Sequence, residues 1–358
     1  MILGMNPRIV ILDEKYSGGV TFEKYYNDPE TMLETQLKFR KLDACEIVYD
    51  HVMGIENQKA WNIYPDFQND AECGWFGAQV KYSGNAVPFT IPFLQDDEKK
   101  DILFKRGIPG LFGGLLGKAL DFYSYFSEKK EAGFTYEKKP INPGGFPGMG
   151  TDGPMTVACM LRGATEFCLD LYEDTAYALE LLEYITEAAI FRVKGLRKYF
   201  GQPEITPALG FADDSIQLLS CDDYEKFILP FHKKLIAGLT DKTGKNSIHL
   251  CGDATRHFKK IQRELGVYVF DTGFPVNFTE TFGALSPETQ ILGGVHVGLL
   301  LNGGPGDVAK AVENICSETK PLSKKFIMRE ANNLSPKTPL ENIAAMYAAV
   351  KKFGKYID

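Results

Sequence analysis

The chain is predicted to form a single (β/α)8 (TIM) barrel with an elaborated amino-terminal region, and three observations predict it. Short apolar strand patterns alternate with helical patterns from residue 154 onward, polar residues stand directly after those strands, and no Gly-x-Gly-x-x-Gly follows an early strand. Strands alternating with helices imply a parallel sheet covered on both faces. Alternation this long favours closing that sheet into a barrel over leaving it open. Without the glycine fingerprint a dinucleotide-binding fold has no support. The 358 residues would ordinarily suggest two domains, but barrels commonly exceed about 250 residues as one unit, so residues 1–358 read as one domain.

The first 150 residues are irregular. A helix over 28–40 opens Asp-Pro-Glu, a strand spans 43–49, and a hairpin is predicted around 74–82. The glycine-rich stretch 107–117 reads as a mobile lid or a loop–helix junction, and 143–153 is a second punctuated loop. Trp75, Phe76, Phe112 and Phe146 fall in these stretches. Loop aromatics suit the walls of a pocket for a flat ligand; the alternative is that the 25 Phe and 17 Tyr simply fill a core.

From residue 154 the order is regular. A long amphipathic helical region spans 169–199, and a strand over 204–209 ends in Gly210-Phe-Ala-Asp213-Asp214. A helix over 221–238 precedes the strand 246–250, which carries His249 and runs into Cys251. A helix over 254–264 leads to a strand over 266–270 before Asp271. After a short helix, a strand over 290–295 meets His296. A helix over 307–318 and a strand over 325–328 lead to Glu330 and Asn332. The last helix, 339–352, starts behind Thr338 as cap with Pro339 in its first turn.

Composition excludes several classes. With 44% hydrophobic and 24% charged residues, a net charge of −7 and scattered basic residues, the chain has no nucleic-acid footprint. Seven cysteines without framework spacing fit a reducing compartment. No apolar run approaches the roughly 18 residues of a membrane span, and no secretory signal opens the chain. A cytoplasmic protein with no membrane or nucleic-acid partner is expected.

The polar residues after the strands mark the expected site. Asp213, Asp214, His249, Cys251, Asp271, His296, Glu330 and Asn332 would share the rim where barrel active sites lie. Each aspartate alone could equally be a helix cap. His249-x-Cys251 is the sharpest pair, because a strand puts i and i+2 on one face and zinc favours imidazole with thiolate. A packed pair is its bland alternative.

The segments Gly210-Phe-Ala-Asp-Asp214, Ile248-His-Leu-Cys-Gly252, Gly293-Gly294 and Leu334-Ser-Pro-Lys-Thr-Pro-Leu-Glu-Asn342 resemble the uroporphyrinogen decarboxylase superfamily, specifically its methylcobamide:thiol methyltransferase branch. The resemblance covers roughly 150–356. It implies zinc on His249, Cys251 and a later cysteine, but this chain has Asn332 at that last position. An amide is a poor zinc ligand beside thiolate, so either an oxygen ligand stands in, Glu330, Asp213 or Asp214 with Glu330 placed first, or the metal is weak or absent. No Arg-Gln-Ala-Gly-Arg motif of the true decarboxylases occurs, nor the Asp-x-His-x-x-Gly signature of base-off cobalamin binding.

The reading that follows is a corrinoid-dependent methyltransferase of the O-demethylase type. It moves methyl from a small methoxylated, aromatic donor to the Co(I) corrinoid of a partner protein. Asp213, Asp214 and His296 are the expected proton donors and His249, Cys251 and Glu330 the zinc ligands. Trp75, Phe76, Phe112, Phe146, Asp152, Asp271 and Asn332 are expected against the substrate. A methylcobamide:thiol methyltransferase is the main alternative; a decarboxylase or a non-catalytic corrinoid-handling protein stand behind it.

Overall fold

A computed structural model describes residues 1–322 and 325–356. Two short parallel strands, β1 (Trp61–Ile63) and β2 (Lys139–Pro143), pair in the amino-terminal part. The main sheet has five parallel strands: β3 (Gly210–Ala212), β4 (Asn246–Leu250), β5 (Val267–Thr272), β6 (Gln290–His296) and β7 (Phe326–Ala331), adjacent in that order. A parallel bridge between Asp152 and Ala212 joins the loop after β2 to β3. Beyond β7, the Ile2 amide donates to the Met328 carbonyl at 3.1 Å. The strand patterns explain the pairing: Ile248 and Leu250 of β4 and Val267 and Phe270 of β5 are buried and apolar. Strands covered on both faces need such residues.

Helices cover the sheet. The longest, Thr175–Tyr199, lays Leu181, Ile185, Ala189 and Val193 along one buried stripe at intervals of four. That spacing is the apolar face of an amphipathic helix. Each fully buried Leu, Ile or Val there contributes about 1.5–3 kcal/mol. Among the described residues no helix is long and apolar enough to cross a membrane.

Several elements differ from the sequence reading. The helix Pro29–Cys45 continues through the start of the expected strand 43–49, and 46–49 pairs with no strand among the described residues. Residues 71–76 form a helix, Ala71–Phe76, ended by Gly77 in the left-handed region. The hairpin lies later, pairing Val80–Lys81 with Phe89–Thr90. The stretch 107–117 is a loop–helix junction, leading into Gly114–Glu131. The helical region 169–199 is two helices, Ala164–Glu173 and Thr175–Tyr199, divided at Asp174, whose carboxylate caps the second. The strand expected at 204–209 is displaced to Gly210–Ala212.

Candidate metal centre and active site

Parallel pairing fixes the geometry of the site. In the register of the sheet, Ala212 lies opposite His249 and His249 opposite Asp271, so three neighbouring strands end level with one another. His249 and Cys251 stand at i and i+2, and the Asp214 loop reaches across from β3. The ligand atoms of Asp214, His249 and Cys251 all lie within 4.8 Å of one another. Nε2 of His249 is 3.0 Å from the Cys251 sulfur, and the Cys251 amide donates to Asp214 Oδ1 at 2.6 Å. One nitrogen, one sulfur and one oxygen donor are the types zinc accepts, and three protein ligands leave a fourth position for substrate. The residues therefore fit the metal.

The imidazole is oriented from behind. His249 Nδ1 lies 2.8 Å from Asp271 Oδ2, which also accepts from Arg329 Nη1 at 2.7 Å. A carboxylate behind a ligating histidine fixes its tautomer and aim. Burial pulls the His249 pKa down, but Asp271 and Cys251 together push it up to about 10. Burial pushes the Cys251 thiol up, partly offset by His249. Burial also raises Asp214, against the pull of the Cys251 amide. Metal binding requires the imidazole nitrogen and the thiol to give up their protons.

The expected residues divide. Glu330, placed first as the oxygen ligand, is instead fully buried, and its Oε1 accepts from Arg329 Nη2 at 2.8 Å and from the Gly4 amide at 2.7 Å. The carboxylate that stands with His249 and Cys251 is that of Asp214. Asp213 is fully buried, with Oδ2 2.7 Å from His232 Nε2, and accepts from the amides of Met155 and Thr156 at 3.3 and 2.7 Å. Its carboxylate thus holds first-turn amides of the distant helix Pro154–Arg162, whose N-cap is Gly153, rather than capping the turn that follows its own strand. Gly153 is glycine because a β-carbon there would run into the Asp213 carboxylate.

His296 ends β6, is exposed, and packs against Phe274 with ring centroids 4.6 Å apart. Asn332 adopts φ +117°, and its own Oδ1 accepts from the Asn333 amide at 2.7 Å. Its side-chain oxygen is thus folded onto the neighbouring backbone. The Asp152 carboxyl is pushed well up by burial and then by its acidic neighbours Glu72 and Asp214.

The aromatic expectations also divide. Trp75 and Phe76 are buried in the helix Ala71–Phe76 rather than exposed in a loop. The Trp75 indole donates to Gly110 O at 2.9 Å, and the Arg192 guanidinium lies 5.1 Å over its ring. Phe112 packs edge-on to Phe146 at 6.0 Å and to Tyr199 at 4.8 Å. Phe146 does meet open space, a cavity of about 460 Å³ shared with Arg8, Tyr64, Phe67 and Asn333.

Arg329, Glu72 and Arg192 escaped the sequence reading. Arg192 is fully buried; it pairs with Glu72 at 2.7 Å and donates to the carbonyls of Gly148 and Gly150 at 3.1 and 3.2 Å. Glu72 in turn accepts from the Asp152 amide and the Thr151 hydroxyl, each at 2.8 Å. Only Arg329 carried a signal: a cation beside Glu330 at a strand end.

A parallel α/β sheet with a mixed nitrogen, sulfur and oxygen donor set at its strand ends agrees with the family comparison. The chain belongs to the uroporphyrinogen decarboxylase (URO-D) family, whose pattern matches residues 147–353. A uroporphyrinogen decarboxylase of Anaeromyxobacter dehalogenans is 28% identical over 56% of this chain and 57% of that protein. A methylated-thiol–coenzyme M methyltransferase of Methanosarcina mazei is 29% identical over 56% of this chain and 51% of that protein. The matches thus span little more than half the length of these two relatives. A methylcobamide:CoM methyltransferase of Methanosarcina acetivorans is 24% identical over 78% of this chain and 75% of that protein. In fold, the chain is similar to a solved methyltransferase from Methanosarcina mazei, with TM-score 0.65 and 17% identity over 97% of this chain and 92% of that one.

Proposed function

We propose that the chain is a corrinoid-dependent methyltransferase with a zinc centre on Asp214, His249 and Cys251, built at the mouth of a closed (β/α)8 barrel. The observation that carries this reading is the convergence of those three donor atoms within 4.8 Å, with Asp271 behind the imidazole. Closure of the barrel is supported by the bridge at Asp152 and the Ile2–Met328 hydrogen bond, which extend the sheet at both edges. Zinc held there supplies a Lewis acid for the substrate atom that bears the methyl group.

The chain's own residues orient and protonate. Asp271 keeps Nδ1 of His249 occupied, leaving Nε2 for the centre. The proposed donor is a small methoxylated aromatic compound, bound by its methoxy oxygen at the centre. Methyl would leave the ether oxygen for the Co(I) corrinoid of a partner protein, which would supply the electron pair. The phenolate oxygen takes a proton, which this reading assigns to His296. In-line displacement depends chiefly on such positioning. A carboxylate in place of a second thiolate hardens the centre and favours an oxygen substrate.

A second reading, methylation of a thiol from a methylated corrinoid, is favoured by the names of the two methanogen relatives. One experiment separates them. Purified protein is mixed with a Co(I) corrinoid protein and a panel of methoxyaromatics, and separately with the methyl-Co(III) form and thiols, while the cobalt spectrum is followed. Methyl-Co(III) formation from an ether supports the proposal, and thiol methylation alone reverses its direction. Binding of the corrinoid protein with no transfer in either arm would leave a docking role.

A further inference from the structure

Behind His249 runs a chain of contacts that ends at the amino-terminal segment. Asp271 Oδ2 is shared between His249 Nδ1 and Arg329 Nη1, at 2.8 and 2.7 Å. The other arm of the same guanidinium donates to Glu330 Oε1 at 2.8 Å, and that oxygen also accepts from the Gly4 amide at 2.7 Å. Glu330 has no solvent exposure, and Arg329 is mostly buried. Three polar atoms along the chain, Asp271 Oδ1, Arg329 Nε and Glu330 Oε2, are buried without a hydrogen-bond partner. Leaving such atoms unsatisfied carries a cost, so the cluster is not what fold stability alone would select.

We propose that Arg329 and Glu330 are positioning residues for the metal centre, and that through them the docking of residues 2–8 is thermodynamically linked to metal binding at His249. The inference rests on the reading that His249 and Cys251 hold zinc.

The physics is direct. Without Glu330, a single carboxylate, Asp271, would hold the guanidinium, which could then swing away along its flexible stem. Asp271 would lose the contact that pins Oδ2, and His249 would lose its aim. Groups standing directly behind a ligating histidine typically change metal affinity 10–100-fold. The Gly4 amide completes the cluster, and linkage is reciprocal: whatever tightens the metal site tightens the segment by the same factor. Gly4 also offers a remote handle. A β-carbon there would fall against Arg329 Nη2 and Glu330 Oε1. Because Nη2 is the far end of a flexible side chain, the guanidinium gives way rather than the backbone.

The test measures zinc affinity by chelator competition and the melting temperature of the metal-free protein. Glu330→Ala and Gly4→Ala are expected to weaken zinc binding about 10-fold or more. Glu330→Gln, whose amide oxygen can still accept from Gly4 and Arg329, should recover most of the loss. Zinc should slow amide hydrogen exchange in residues 2–8 of the wild type, and less so in Gly4→Ala. Should Glu330→Ala fail to fold, Gly4→Ala and the exchange measurement decide alone. Unchanged zinc affinity in the variants that fold, with residues 2–8 indifferent to zinc, overturns the inference. His249→Ala and Cys251→Ala serve as controls: if they too leave zinc binding intact, the metal reading itself has failed.

Discussion

His249 and Asp271 occupy the same register position on adjacent parallel strands, and Nδ1 of the first lies 2.8 Å from Oδ2 of the second. Backbone pairing, rather than a flexible loop, sets that distance. A site built on paired strands is held more tightly than one carried on loops.

Asp271→Ala should therefore weaken zinc binding by about 10–100-fold while leaving His249 and Cys251 in place. Chelator competition on the purified variant checks this. Wild-type affinity would mean that the imidazole is aimed by something else.

Asp213 should behave differently, as a structural residue. Asp213→Ala leaves two first-turn helix amides without their acceptor and strands the buried His232 ring, at a cost of about 2–4 kcal/mol in unfolding free energy. Zinc content of the folded fraction should hold. Urea denaturation together with metal analysis tests both halves, and loss of zinc without loss of stability would return Asp213 to the site.

His257 predicts an acid limb. Burial, and then the Arg256 cation, push its pKa down to about 4, while its Nε2 lies 3.0 Å from the Ile216 carbonyl oxygen. Between about pH 6.5 and 4 the unfolded chain binds the proton and the folded chain does not, so stability falls as pH falls through that window. The full effect is about 3 kcal/mol. His257→Gln should flatten this part of the stability–pH curve; an unchanged slope would assign it to other groups.

His296 tests the direction of transfer. If it protonates the leaving oxygen, His296→Ala slows ether demethylation by about 10²–10⁴-fold. That loss should shrink as electron-withdrawing substituents make the phenol more acidic. An equal loss across the series would reduce His296 to shaping the pocket beside Phe274.

The parallel sheet and the approach of His249 to Cys251 were legible because strand–helix alternation and i, i+2 spacing are local patterns. Asp214 was legible as one candidate oxygen donor among three, yet Glu330 ranked above it. The choice turns on tertiary facts: Glu330 points to Arg329 and the Gly4 amide, from opposite ends of the sequence. Trp75 and Phe76 misled for a related reason. A six-residue helix that contains Gly74 and ends at Gly77 looks like a loop, and its burial depends on Arg192 and Gly110, which no local pattern announces. The Arg192–Glu72 pair was invisible because single charges on amphipathic helices usually face water.

That pair changes what residues 143–153 can do. Their glycines and prolines read as a punctuated loop, yet Arg192 clasps two of their carbonyls and Glu72 holds Thr151 and Asp152. Swinging the segment outward would break these contacts together, at more than about 4 kcal/mol even at modest values for each hydrogen bond. The open form would then be populated less than about once in a thousand molecules. Composed like a loose loop, the segment is a bolted wall, and under the proposed function a corrinoid-bearing protein would have to approach the site from another side.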